Sequence, residues 1–205
     1  MDLTIKIKYN VPMKLWTIQH INVWNKIKGK GSYKCDKRFI CFSDFKEPYA
    51  WMISEAKNQV EGWTEDRAVW FWTKKPDLRT HKTIMDPTRP DKELHVLIEI
   101  EVDPKEVLFT DFDLWHLVLG KSYVPKNDKD WDRFEKSLPR KHKFSGFHKL
   151  PKKFQKEIER SWKRSVVKPD HKEMTQAIKQ DIKKEEVVST REFWIKNVVK
   201  KPKSS

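Results

Sequence analysis

Met13–Gln19, MKLWTIQ, alternates Leu15, Thr17 and Gln19 with Trp16 and Ile18, which predicts a strand with the two sets on opposite faces. Trp16 and Ile18 suit a core. Thr17 and Gln19 make the other face polar. Such a face either meets solvent or lines a ligand cleft, where neutral donors and acceptors suit an amide or a ribose better than a bare phosphate. Ile21–Gly31 follows as a short helix, with Ile21, Trp24 and Ile27 on one side and a Gly29/Gly31 stop. Phe39–Phe42 is a brief apolar run, read as a strand. Ser43 or Asp44 caps the next helix, where Phe45, Tyr49, Met52, Ala56, Val60 and Trp63 recur at helical spacing. Tyr49 and Trp51 cannot both face the core at that spacing, and Tyr49 reads most simply as packing.

Ala68–Thr73, AVWFWT, is apolar on both faces and predicts a central strand. The loop Lys74–Lys92 carries Arg79, either an anion contact or a salt bridge to Asp77. Glu93–Val102 alternates cleanly: Val96, Ile98, Ile100 and Val102 face one way, His95, Leu97, Glu99 and Glu101 the other. After the Asp103-Pro104 turn come a short strand, Val107–Thr110, and a helix capped by Asp111 and closed by Gly120. Residues 121–150 show little periodicity. Pro151–Val166 is a helix through Phe154, Ile158 and Trp162. Met174–Trp194 reads as a strand carrying Gln176, a turn at Lys183–Glu186 and a second strand through Val187, Val188 and Phe193.

The 205 residues predict a single domain with a basic subregion at 121–170 and a frayed basic tail at 196–205. The net charge of +14 is unevenly placed: residues 121–205 hold 25 Lys and Arg against 12 Asp and Glu, leaving 19 against 18 in the first 120. A field of that sign attracts nucleic acid, or else marks a solvated lysine-rich surface. Arg140, Lys141, Lys143, Lys149, Lys152 and Lys153 interleave with His142, Phe144, Phe147 and His148, as backbone neutralisation with base stacking requires. No apolar run spans a membrane and no signal peptide is visible, so a cytoplasmic protein with Cys35 and Cys41 reduced is expected. Asp111 and Asp113 with Glu99 or Glu101 could be drawn as a metal cluster, but helix capping accounts for the aspartates and no metal is expected.

Three blocks carry a resemblance: the opening LWTIQ, the stretch VLIEIEVDPKEVLFTDFDLWHLVLG and the closing TQAIKQDIKKEEVV. They resemble a bacterial and phage family of unassigned function that opens with Trp-Thr-Ile-Gln and contains Ser/Thr-Asp-Phe-Asp-x-Trp-His. At one remove, the order of elements is similar to that of ADP-ribosyltransferases, chiefly nucleic-acid-modifying toxins. The resemblance implies an α+β fold with a twisted, mostly antiparallel split sheet flanked by helices. It implies NAD as cofactor, RNA or DNA as acceptor, a toxin or antiviral-defence role, and an antitoxin or regulatory protein as a partner. Position by position, Thr17 or Gln19 takes the first-strand place, Tyr49 the aromatic place and Gln176 the place of the late glutamate. Trp16, Thr17, Tyr49, Trp51, Trp72 and Arg79 are the implied cofactor contacts. The first-strand His or Arg of that superfamily is absent, and Gln176 holds a ribose hydroxyl but is no general base. Charge at the reacting centre then falls to Glu99, Glu101, Asp111 or Asp113. Two alternatives stand beside this: a non-catalytic nucleic-acid-binding module with a Trp-rich base pocket, and a metal-dependent nuclease.

Overall fold

The structure is a computed structural model and describes residues 11–35, 43–86, 88–169 and 174–198. The strand expected at Phe39–Phe42, Cys41, the arm at 1–10 and the tail beyond residue 198 lie outside the described residues. In chain order the elements are β1 (Met13–His20), α1 (Ile21–Lys30), β2 (Ser32–Lys34), α2 (Lys46–Gln59), β3 (Val69–Trp72), β4 (Thr83–Ile84) and β5 (Lys92–Val102). They continue with β6 (Leu108–Asp111), α3 (Phe112–Leu119), α4 (Asp128–Ser137), α5 (Lys152–Ser161), β7 (Thr175–Lys179), β8 (Asp181–Lys183) and β9 (Val187–Asn197). The fold is of mixed α+β type, with a large, mostly antiparallel sheet flanked by helices. Among the described residues, no helix is long and apolar enough to cross a membrane.

The chain divides into two compact units. The first holds residues 1–35, 67–107 and 179–205. Its strands run in the order β4-β9-β5-β1-β3, antiparallel except where β4 meets β9. The register Leu15↔Ile100, Thr17↔Ile98 and Gln19↔Val96 puts Leu15 and Thr17 on the side of three fully buried aliphatics. Trp16 and Ile18, expected to face the core, point to the opposite, half-exposed side. The reason is numerical: Val96, Ile98, Ile100 and Val102 form a longer apolar row than β1 can oppose, and the partner strand follows the row that removes most apolar area from water. The helix α1 lies against β1 and β5 and buries Val23 and Ile27. It ends where the sequence predicts, on Gly31 at φ 78°, a conformation that favours glycine.

A small ladder, β2–β8, sits in the same unit and buries Tyr33 and Ile182. The last residue of β7, Lys179, is 2% exposed. Its ammonium lies 2.7 Å from Asp181, 2.9 Å from Glu186 and 3.5 Å from Glu106. Burial opposes the charge, but hydrogen bonds to Asp181 and Glu186 outweigh it and raise the Lys179 pKa above the ordinary lysine value.

The second unit holds residues 36–66 and 108–178. Here β6 and β7 pair antiparallel, with Thr110 opposite Gln176. Asp111 caps α3 as expected, its Oδ1 accepting from the Leu114 N–H at 2.9 Å. The helix α4 falls in the stretch expected to be irregular. Its start is marked by Asn127, whose Oδ1 accepts from the Asp130 N–H at 3.0 Å. Phe134 is its one buried residue and stacks on Tyr123 at 4.1 Å. The helix predicted over Pro151–Val166 stops at Ser161 and tightens to a 3-10 turn through Ser165.

Candidate functional site

In the first unit, β1 pairs with β5 along its whole length, from Met13↔Val102 to His20↔His95. Alternation on one strand therefore fixes which residues share a face on the other. Thr17 and Gln19 come together, the Gln19 amide donating to the Thr17 hydroxyl at 2.8 Å. Thr17 is buried. The pair lies on the side of the core aliphatics, so the polar row expected to line a cleft is largely turned inward and satisfied internally.

The opposite side carries more chemistry. Glu99 stands across from Trp16 on β1 and Ser189 on β9, and Trp16 in turn stands across from Trp72 on β3. The Glu99 carboxylate accepts from Lys14 Nζ at 2.8 Å and from the Trp16 indole N–H and the Ser189 hydroxyl, each at 3.1 Å. The hydrogen bond from Lys14 is the chief cause that holds Glu99 below the usual carboxylate value. Burial opposes it, and Trp16 and Ser189 add to it. Glu99 is thus an ionised carboxylate near neutral pH.

Four residues further along each strand, the face ends in a histidine pair. The strand β1 runs to His20, one residue beyond the predicted end, so a histidine does occupy the first strand. Its Nδ1 accepts from the Asn22 N–H at 3.2 Å and caps α1, which leaves Nε2 as the ring nitrogen that carries a hydrogen. His20 meets His95 edge-on at 5.5 Å. His95 is buried, and among the described residues its Nδ1 has no hydrogen-bond partner. Its Nε2 lies 3.8 Å from Glu93 Oε2, which also accepts from Arg89 at 3.2 Å. Burial lowers the His95 pKa below the ordinary histidine value, against the pull of Glu93, so the ring is neutral at pH 7. The signal for this pair was present as a histidine closing WTIQH and another opening HVLIE; antiparallel pairing is what superimposes them.

Arg79 is engaged by Asp77, which accepts its Nη2–H at 2.6 Å and its Nε–H at 2.9 Å. Glu101, also on β5, is exposed, and the other sites predicted from sequence belong to the second unit. Tyr49 packs edge-on against Trp115 and Trp51 edge-on against Trp162, each at 5.6 Å. Gln176 is half-buried opposite Thr110, whose fully buried hydroxyl lacks a partner among the described residues. Among those residues, no group of three or more His, Cys, Asp or Glu side chains is placed to hold a metal ion.

The basic stretch forms two tied turns, Arg140–His142 and Phe147–Lys149, between Pro139 and Pro151. Leu150 is buried, its carbonyl accepts from the Gln155 amide at 2.7 Å, and Phe147 lies 6.0 Å from Trp162. The predicted basic residues are all exposed. Lys152 donates to Gln155 at 3.1 Å and Lys153 lies over the Phe154 ring at 4.6 Å. Among the described residues, no carboxylate pairs with Arg140, Lys141, Lys143 or Lys149. Nor does the sequence from Pro139 to Pro151 contain an Asp or Glu.

No curated protein and no solved structure matches the chain. One family does match, over residues 14–188, a span that takes in all of β1 but its first residue, Glu99, the histidine pair and the basic turns. The chain belongs to that family, described as Domain of unknown function (DUF3841).

Proposed function

We propose that this chain is an ADP-ribosyltransferase-like enzyme that uses NAD to modify nucleic acid. The observation that carries the reading is the β1–β5 face, half-exposed on β1 and buried along most of β5, where a first-strand histidine, a neutral buried histidine and an ionised glutamate are aligned by one antiparallel register. The donor set fits NAD in kind: half-exposed His20 offers its Nε2, and half-exposed Trp16 and Trp72 offer rings. When bound, NAD supplies an anomeric carbon that becomes electron-poor as nicotinamide departs. Glu99, fixed by Lys14, Trp16 and Ser189, opposes positive charge developing beside it, and needs no reorganisation to do so. The Nε2–H of His20 orients an amide or a ribose hydroxyl. The ADP-ribosyltransferase arrangement of the sheet belongs to the same proposal.

Nicotinamide release by the full chain tests it, measured with NAD alone and with added RNA or DNA. Release that requires a polymer is expected, and Glu99→Gln should lower it by about a hundredfold, the scale on which one preorganised electrostatic group acts. Release that is absent under every condition would leave the second reading, a non-catalytic nucleic-acid-binding module. That reading is favoured by the unpaired cations of the 140–149 stretch.

A further inference from the structure

Phe144 is 101% exposed, whereas the next most exposed Phe, Tyr or Trp rings among the described residues, Trp194 and Trp131, are at 49% and 41%. Fully burying a Phe side chain is worth about 1.5–3 kcal/mol, and that gain is left to whatever covers this ring. The backbone on both sides is tied down. The Ser145 N–H donates to the His142 carbonyl at 3.0 Å, and the Lys149 N–H donates to that of Gly146 at 2.9 Å. Phe147, three residues on, is half-buried against Trp162. One ring of the pair therefore anchors the loop and the other is held away from it, between Arg140, Lys141 and Lys143 on one side and Lys149 on the other.

We propose that Phe144 is a stacking platform for an unpaired base, so that the nucleic acid bound here is single-stranded. The inference rests on the reading that this unit binds nucleic acid, and it names the class. A duplex offers its bases only as edges in the grooves, and a lone phenyl ring does not read those. Unpaired bases offer their faces, and stacking on an aromatic ring is how sequence-tolerant single-strand binders hold them. Arg140, Lys141, Lys143 and Lys149, none paired with a carboxylate among the described residues, suit the backbone that tracks past the ring, while Glu47, 3.5 Å from His148, is engaged by Lys121 at 2.9 Å. A lipid surface would need a continuous apolar face, and the next residues, Ser145 and Gly146, do not extend one.

The test is fluorescence anisotropy of the full chain with a labelled single strand of about twelve nucleotides, within the usual site size. A duplex of equal length and vesicles of phosphatidylcholine with phosphatidylserine run beside it. Phe144→Ala should weaken single-strand binding about 5- to 150-fold, leave duplex binding and the salt slope unchanged, and be rescued by Phe144→Trp. Lys141→Gln and Lys143→Gln should weaken both nucleic acids and reduce the salt slope by about 0.7–0.9 each. If Phe144→Ala has no effect, or an equal effect on duplex and single strand, the stacking role is wrong while the nucleic-acid reading stands. If the intact chain binds vesicles and neither nucleic acid, or binds nothing, the reading beneath it is wrong as well.

Discussion

Lys179 and Lys143 carry the same charge in opposite surroundings. Lys179 is nearly inaccessible and shares its ammonium among Asp181, Glu186 and Glu106. Lys143 is exposed and, among the described residues, pairs with no carboxylate. The excess of lysine in the C-terminal part is therefore two populations. One is consumed in holding the first unit together around β8 and the turn after it. The other is left uncompensated on a stretch from which acidic residues are absent, and only that population offers a field to a partner. Composition counts both alike.

The largest expected effect breaks the buried half of that contrast. Lys179→Met leaves buried Asp181 and largely buried Glu186 facing each other with half-exposed Lys183, 3.7 Å from Glu186, for a cation, and should cost about 3 kcal/mol of unfolding free energy in a denaturant titration. A loss below about 1 kcal/mol would mean that the carboxylates relax to water and that the cluster is an ordinary surface pair. The same cluster predicts an alkaline limit. Because the Lys179 pKa is raised in the folded state, its contribution is complete below the unfolded lysine value of about 10.4 and is lost as pH rises through the folded value. The Lys179→Met variant should lack that loss.

Acid stability turns on a different network. Asp130 is held at about 2, first by the Lys126 backbone N–H, against burial, with Tyr123, Arg133 and Arg164 adding. Its contribution is present above the unfolded value of about 3.9 and is lost as pH falls towards about 2. A melting-temperature profile over that window should flatten in Asp130→Asn. A smaller change is expected at the Asn127 cap, where Asn127→Ala should cost about 1 kcal/mol. Thr110→Val should be neutral or stabilising by up to about 1 kcal/mol, since it removes a buried hydroxyl without a partner. Smallest of all, Lys143→Ala should shift stability by less than about 0.5 kcal/mol while weakening polyanion binding, which separates the two lysine populations in one pair of variants.

What the sequence disclosed follows from how local each signal is. The alternation of β5, the Asp111 cap and the Gly31 stop depend on neighbours within a few residues, and all three are where the pattern placed them. The orientation of β1 was not legible, because both of its faces mix apolar and polar residues and the choice is made by the longer row on β5. The helix α4 was hidden because Trp131 and Phe134 give it only a trace of periodicity, although Asn127 announces its start. Lys179 reads as a solvent-facing strand residue until the turn at 184–186 returns Glu186 to it. At the site, Glu99 was nameable from its strand. The His20–His95 pair depends on a register between strands separated by some seventy residues of sequence, which no local pattern specifies.

Transfer of label from NAD to total RNA, DNA or protein, comparing the intact chain with Glu99→Gln, tests the central claim most directly. The account predicts transfer to one nucleic acid, reduced about a hundredfold in the variant at unchanged melting temperature. Transfer to none of the three polymers, by an intact chain that still binds nucleic acid with a steep salt dependence, would contradict it.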